Sequence, residues 1–157
     1  WISETNRIVL VSGPDKAAAA IPDEGALAAT IAAVDRLEVT PWVDRVRDDV
    51  GPYLAQHYAQ LAEHPLVGEA QTTGLMGALL LVKNKDGRGT PFPPEREIGM
   101  VCRGHCFREG VIMRAVGDRM IIAPPLVITR AQIDEMMALI RRCLDLTLAD
   151  ARREGWA

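Results

Sequence analysis

The chain has 157 residues, enough for one compact domain with an appendage, and 48% of them are hydrophobic, which is ample for a core. Its 18 basic and 21 acidic residues are mixed along the chain to a net charge of -3, with no basic stripe or aromatic ladder, so a nucleic-acid partner is not expected. No run approaches about eighteen apolar residues and no charged leader precedes an apolar stretch, so the expectation is a soluble, cytoplasmic protein with no membrane partner.

The three cysteines fit a reducing compartment better than a disulfide framework. The chain opens on Trp1 rather than methionine, which reads as a piece of a longer protein. Residues 6–12 (NRIVLVS) form a β-branched run stopped by Gly13-Pro14-Asp15, a strand ending in a turn. Pro22-Asp23-Glu24 opens a helix to about residue 37, with Leu27, Ile31 and Val34 on one face. Thr40-Pro41 repeats that start signal. From residue 42 to 62, Val43, Val46, Val50, Leu54, Tyr58 and Leu61 recur every three or four positions, so this is an amphipathic helix. Gly51-Pro52 lies inside it. Proline lacks a donor and crowds the preceding turn, so a kink is expected there.

His64-Pro65 ends that helix, and residues 67–72 and 75–83 read as two strands parted at Gly74. The second is nearly all apolar, the pattern of a strand buried on both faces. A glycine- and proline-rich loop (86–94) leads to a helix over 95–109, with Ile98, Val101, Cys102 and Cys106 at helical spacing and Gly110 as its stop. Residues 111–115 and 120–123 are strands joined by the turn at 116–119. The last helix starts at Thr129, where T-R-A-Q satisfies a capping box, and Ile133, Met136, Met137, Ile140, Leu144 and Leu148 form its buried stripe. Strands interleaved with helices and joined by hairpin-like turns define an α+β class, with a mixed or antiparallel sheet packed with helices.

Cys102, His105 and Cys106 form C-x-x-H-C, one helical turn between cysteines, but no nearby fourth ligand completes a structural zinc site. The plainer reading is two small buried cysteines and an exposed histidine. Asp48-Asp49 and Glu95/Glu97 could pair as acid and base, yet charged helix faces explain them more simply. The methionines at 113, 120, 136 and 137 sit where a core needs filling.

Four stretches carry a resemblance: VDRVRDDVGPYL (43–54), HPLVGEAQTTGLMGALLLVKNK (64–85), VCRGHCFREGVIMRAVGDRMIIAPPLVITRAQIDEMM (101–137) and RRCLDLTLADARREG (141–155). Their order and spacing resemble the C-terminal small domain of class III pyridoxal-phosphate aminotransferases, the ω-transaminase group. The long non-periodic R-A-V-G-D-x-M-I-x-x-P-P-L-x-x-T run is the most specific part. The resemblance implies a fold-type I enzyme in which residues 42–157 form a small α+β domain beside a large cofactor-binding domain. It also implies a homodimer and amino-group transfer between an amine or amino acid and a keto acid.

Arg114 is similar to the arginine that in this family binds the substrate carboxylate, a role suited to a planar guanidinium with paired donors. A surface arginine on an alternating strand is the plain alternative. The family's Schiff-base lysine lies in the large domain. Lys16 falls outside the matching region, while Lys83 and Lys85 end an apolar strand at a charged turn, where an amine keeps its solvent. No catalytic residue, cofactor ligand or metal ligand is therefore expected here. Pyridoxal phosphate is implied for the parent family and not for this chain alone. The implied partners are an aminotransferase large domain or a second copy of the chain.

Residues 5–17 (TNRIVLVSGPDKA) and 21–44 (IPDEGALAATIAAVDRLEVTPWVD) instead resemble a non-catalytic segment of insulinase/pitrilysin-type zinc peptidases. Those enzymes need an H-x-x-E-H helix, and none of His57, His64 and His105 begins one. The expected organisation is an N-terminal strand and helix over 1–41 and an aminotransferase-like domain over 42–157. A chimera joined near residues 41–45 follows from the two resemblances. A non-catalytic scaffold or interaction protein is the alternative function.

Overall fold

The computed structural model describes residues 41–86 and 89–157, together with the helical positions Gly25, Ala28 and Ala32. The chain divides into two compact units, Trp1–Pro41 and Trp42–Ala157. The strand expected over 6–12, Lys16, the Thr40 cap and most of the helix expected over 22–37 lie outside the described residues, as do Gly87 and Arg88 of the 86–94 loop.

Within Trp42–Ala157 the elements run α1 (Trp42–Arg45), a π-helical segment (Val46–Val50), α2 (Gly51–Ala59) and a 3-10 turn (Gln60–Glu63). Strands β1 (Val67–Thr73) and β2 (Met76–Leu81) follow, then a 3-10 turn (Pro94–Arg96) and α3 (Ile98–Glu109). Strands β3 (Arg114–Val116) and β4 (Arg119–Ile122) lead to α4 (Arg130–Arg153). The sheet has the order β1-β2-β4-β3 and every neighbouring pair is antiparallel. The small α+β domain is thus as expected, with an antiparallel sheet rather than a mixed one.

The amphipathic helix over 42–62 forms, and Val50, Leu54, Tyr58 and Leu61 are buried as its period requires. Two details differ. Val43 is 75% exposed instead of facing the core. In place of a simple kink, the turn before Gly51-Pro52 widens to π geometry, and the Gly51 N–H donates to the Val46 carbonyl. Proline cannot donate to the ladder and its ring needs room against the preceding turn, so an extra residue per turn relieves both problems. Gly51 is required by this packing, because a Cβ there would lie 2.2 Å from the Val46 carbonyl oxygen.

Among the described residues, the helices cover one face of the sheet only. Leu79, Leu81, Met120 and Ile122 are buried, while their alternating neighbours Ala78, Leu80 and Ile121 are half-buried. The apolar β2 segment is therefore not buried on both faces as expected, because the helices supply apolar cover to one side. Tyr58 of α2 lies over Gly77 on the covered side, and a Cβ at Gly77 would come within 2.8 Å of its ring. The Tyr58 hydroxyl is buried without a hydrogen-bond partner among the described residues, and burial holds its phenol above the ordinary range.

Helix α4 closes the core. Ile133, Met137, Ile140 and Leu144 are buried as expected; Met136 and Leu148 are half-buried, and Cys143, Thr147 and Ala151 join the stripe. The Thr129 capping box forms, with the Gln132 N–H donating to Thr129 Oγ1 at 3.2 Å and the Thr129 N–H donating to Gln132 Oε1 at 3.0 Å. Such a cap stabilises a helix by about 1 kcal/mol. The helix expected over 95–109 starts later, at Ile98. Glu97 takes a left-handed conformation (φ 45) and separates the 3-10 turn from α3. No helix among the described residues is long and apolar enough to cross a membrane.

Candidate functional site

Arg114 begins β3, an edge strand of the sheet, and its side chain is exposed. How it is held there follows from the elements behind it. Helix α3 ends at Gly110 in the left-handed conformation (φ 85), and the Val111 N–H donates to the Cys106 carbonyl at 2.9 Å, which turns the chain into β3. Val111 and Met113 are buried and Ile112 is exposed, so the alternation fixes Arg114 outward. The β3–β4 turn uses Gly117 at φ 55, a conformation glycine adopts without cost. The first turn of α3 presses on that turn so closely that a Cβ on Gly99 would lie 2.1 Å from the Gly117 carbonyl oxygen. The hairpin bearing Arg114 is therefore backed by a rigid helix.

Cross-strand register shows what shares the open face. Arg114 pairs with Ile121 and Val116 with Arg119, while Ile121 pairs with Ala78 and Arg119 with Leu80 of β2. Paired residues point to the same side, so Arg114 and Arg119 stand on one face among Ile112, Val116 and Ile121. Neither arginine has an ion pair or a side-chain hydrogen bond with another described residue, whereas Arg47, Arg130, Arg142 and Arg153 each meet a carboxylate. Asp118 in the adjoining turn pairs with neither, and burial raises its carboxyl above the ordinary value.

The C-x-x-H-C cluster has a structural role. Cys102 and Cys106 are buried as expected, but His105 is buried too, which corrects the expectation of an exposed histidine. Its Nε2 lies 2.8 Å from Asp150 of α4, and Arg108 Nη2 lies 3.0 Å from its Nδ1. Arginine can only donate, so Nδ1 accepts from Arg108 and the Nε2–H donates to Asp150. The hydrogen bond from His105 holds the Asp150 carboxyl below its ordinary value. Contact with Cys102 and burial push the Cys106 thiol up, and burial raises that of Cys143, so neither is a poised nucleophile. Among the described residues no group of three or more potential ligands is arranged to hold a metal ion.

The remaining carboxylates considered from sequence are surface groups. Asp48 meets Arg47, Asp49 meets Arg130 of α4, and Glu95 and Glu97 are exposed. A separate apolar groove of about 620 Å³ opens beside the π segment, lined by Val43, Val46, Gly51, Pro52, Ala55 and Leu126 among others. Sequence reasoning missed both this groove and Arg119. The groove has no local signal. Arg119 was legible in principle, since a two-residue turn at Gly117-Asp118 sets Val116 opposite it.

These features define a small α+β domain whose arginine-bearing sheet face is left open by the described residues. No protein-family model matches the chain. It is 54% identical over 107 residues to the putrescine–pyruvate aminotransferase of Pseudomonas aeruginosa, covering 68% of this chain and 23% of that one. It is also 32% identical over 130 residues to the uncharacterized aminotransferase y4uB of Sinorhizobium fredii, covering 82% and 28%. Among solved structures, the ω-transferase of Vibrio fluvialis JS17 superposes with a TM-score of 0.72 at 30% identity, over 77% of this chain and 28% of its own. The PMP-bound form of an aminotransferase from Vibrio fluvialis superposes at 0.64 with 31% identity, over 69% and 24%.

The relatives of this chain are class III aminotransferases, and its structural neighbours are fold-type I transaminases. The chain spans about a quarter of the length of the curated relatives it matches. Pyridoxal phosphate is the cofactor of that parent family. The two described lysines do not fit the Schiff-base role. Lys83 and Lys85 are both exposed, and Lys85 Nζ donates to the Ala62 carbonyl at 2.6 Å, so neither has the burial that activates a Schiff-base amine.

Proposed function

We propose that residues 42–157 are the C-terminal small domain of a class III aminotransferase that moves an amino group between an amine or amino acid and a keto acid. The identity of 54% over 107 residues with the putrescine–pyruvate enzyme carries this reading. In it Arg114 binds the substrate carboxylate: an exposed guanidinium, unpaired among the described residues, on a braced hairpin offers two parallel donors to a planar anion. The lysine that holds the cofactor belongs to the large domain, so the chain alone does not carry out the reaction. The match to the Sinorhizobium relative is longer than Trp42–Ala157 and so extends to residues before Trp42, which supports one continuous aminotransferase sequence rather than a splice near residues 41–45.

The test is a hybrid in which residues 42–157 replace the matching segment of the Pseudomonas enzyme. The hybrid is expected to transfer amino groups to pyruvate. Arg114→Ala in that hybrid should raise KM for the keto acid by about 10- to 100-fold, the worth of a charge-assisted hydrogen bond. A hybrid that folds and turns over with an unchanged KM after the substitution would remove Arg114 from the site. Added to the 157-residue chain alone, pyridoxal phosphate should give no near-visible band beyond that of the free cofactor.

A further inference from the structure

We infer that Arg119 is a second anion-binding residue beside Arg114, so that the open sheet face takes a small ligand with two anionic groups, of the short-dicarboxylate class. This rests on the reading of Arg114 as a carboxylate ligand and adds to it a residue that selects among anions. Arg114 and Arg119 occupy diagonal positions on β3 and β4, in the pairs Arg114↔Ile121 and Val116↔Arg119 that flank Ala115↔Met120. Diagonal Cβ atoms on one face lie within roughly 7–8 Å, a span two long side chains close easily. Both side chains are exposed and neither meets a carboxylate or hydrogen-bond acceptor among the described residues.

Two like charges so placed repel, and an anion between them relieves that cost. The nearest acid by register is Glu69, across β2 from Arg119 through Leu80. It already accepts a hydrogen bond from Gln71 Nε2 at 2.6 Å. Asp118 forms no ion pair with either arginine. Ile112, Val116 and Ile121 flank the pair, with exposures of 59% and 48% for the first two, so a short carbon chain between two carboxylates meets apolar surface. Positive charge at two points with hydrocarbon between them is complementary to that ligand shape, and a monocarboxylate uses only half of it.

The experiment is an NMR titration of the 157-residue chain with glutarate and with butyrate at fixed ionic strength, following the arginine Nε–Hε signals. Glutarate is expected to bind about 10-fold more tightly or better, the worth of a second charge-assisted contact. Arg119→Gln should bring glutarate down to the affinity of butyrate and leave butyrate unchanged. Arg114→Gln should weaken both. Equal binding of the two anions, a glutarate preference that survives Arg119→Gln, or no saturable glutarate binding up to about 50 mM overturns the inference about Arg119. Arg114→Gln without effect on either anion instead overturns the reading of Arg114, so the two failures are distinguishable.

Discussion

His64 is the residue at which the chain turns from the 3-10 segment into β1, and it is 3% exposed. Its Nδ1 accepts from the Leu66 N–H at 3.1 Å, and its Nε2 lies 3.1 Å from Asp145 of α4. The neutral ring satisfies both contacts, with Nε2–H donating to the carboxylate. Burial lowers the pKa of His64 below the ordinary 6.5, against the opposing pull of Asp145, while Arg141 and Lys85 push in the same direction as burial. A folded-state pKa below the unfolded one means that protonation favours unfolding. The contribution of His64 is therefore full above about pH 6.5 and is lost as the pH falls below it. In His64→Asn, whose Oδ1 can still accept from Leu66, that dependence is absent. Urea midpoints of the two proteins should differ most at about pH 7.5 and converge toward about pH 5.5. A gap that stays constant or widens on acidification refutes the assignment. Single residues of this kind were poorly legible in the sequence. His105 was expected at the surface because a lone polar residue in a helix usually is, and only α4, distant in sequence, supplies the Asp150 that makes its burial tolerable. Arg114 itself was singled out by resemblance, since alternation alone places any strand arginine at the surface.

At the scale of elements, periodicity did most of the work. The stripe of α4 and, apart from the exposed Val43, that of the 42–62 helix are where apolar spacing put them, because each turns its apolar face to the core. Errors arose where backbone conformation departs from the ideal. Glu97 adopts a left-handed conformation unusual for a side chain with a Cβ, and no residue pattern announced that break before α3. The π segment is a second case: Gly51-Pro52 was legible as an irregularity, but its form depends on how the chain restores its hydrogen bonds. Gly51→Ala tests that form. Its new methyl group would sit 2.2 Å from the Val46 carbonyl oxygen, so the Gly51–Val46 hydrogen bond must open or the helix must shift. The expected loss is about 1–3 kcal/mol in urea unfolding. In a regular α-helix the same substitution would gain up to about 1 kcal/mol from propensity. The sign of the effect therefore reports the π turn directly, and a stabilised variant would rule it out.

At the scale of the described domain, the residues of Trp42–Ala157 leave one face of the antiparallel sheet uncovered, and α1 and the loop after β4 form an apolar groove. Val43 and Leu126, which line that groove, are 75% and 43% exposed, although Arg45 ties the same loop down by donating to the Leu126 carbonyl at 2.7 Å and to the Ile128 carbonyl. Contiguous apolar surface of this kind is uncommon on a protein that works alone, and water favours covering it. The chain spans about a quarter of its curated relatives, so surface that the remainder of a longer protein could cover is open here. For the 157-residue chain on its own, the cheapest cover is another copy. Sedimentation velocity on the 157-residue chain should show a sedimentation coefficient that rises between about 1 and 100 μM, the range in which a few kcal/mol of apolar burial beyond the cost of association becomes visible. Val43→Lys together with Leu126→Lys places charge on both sides of the groove and should suppress the rise, with circular dichroism unchanged because neither side chain is buried. If the double variant associates as the parent does, the contact lies elsewhere, and the open face of β3 and β4 becomes the surface to charge next. A chain that stays monomeric throughout would mean that the groove is too small or too well hydrated to drive association.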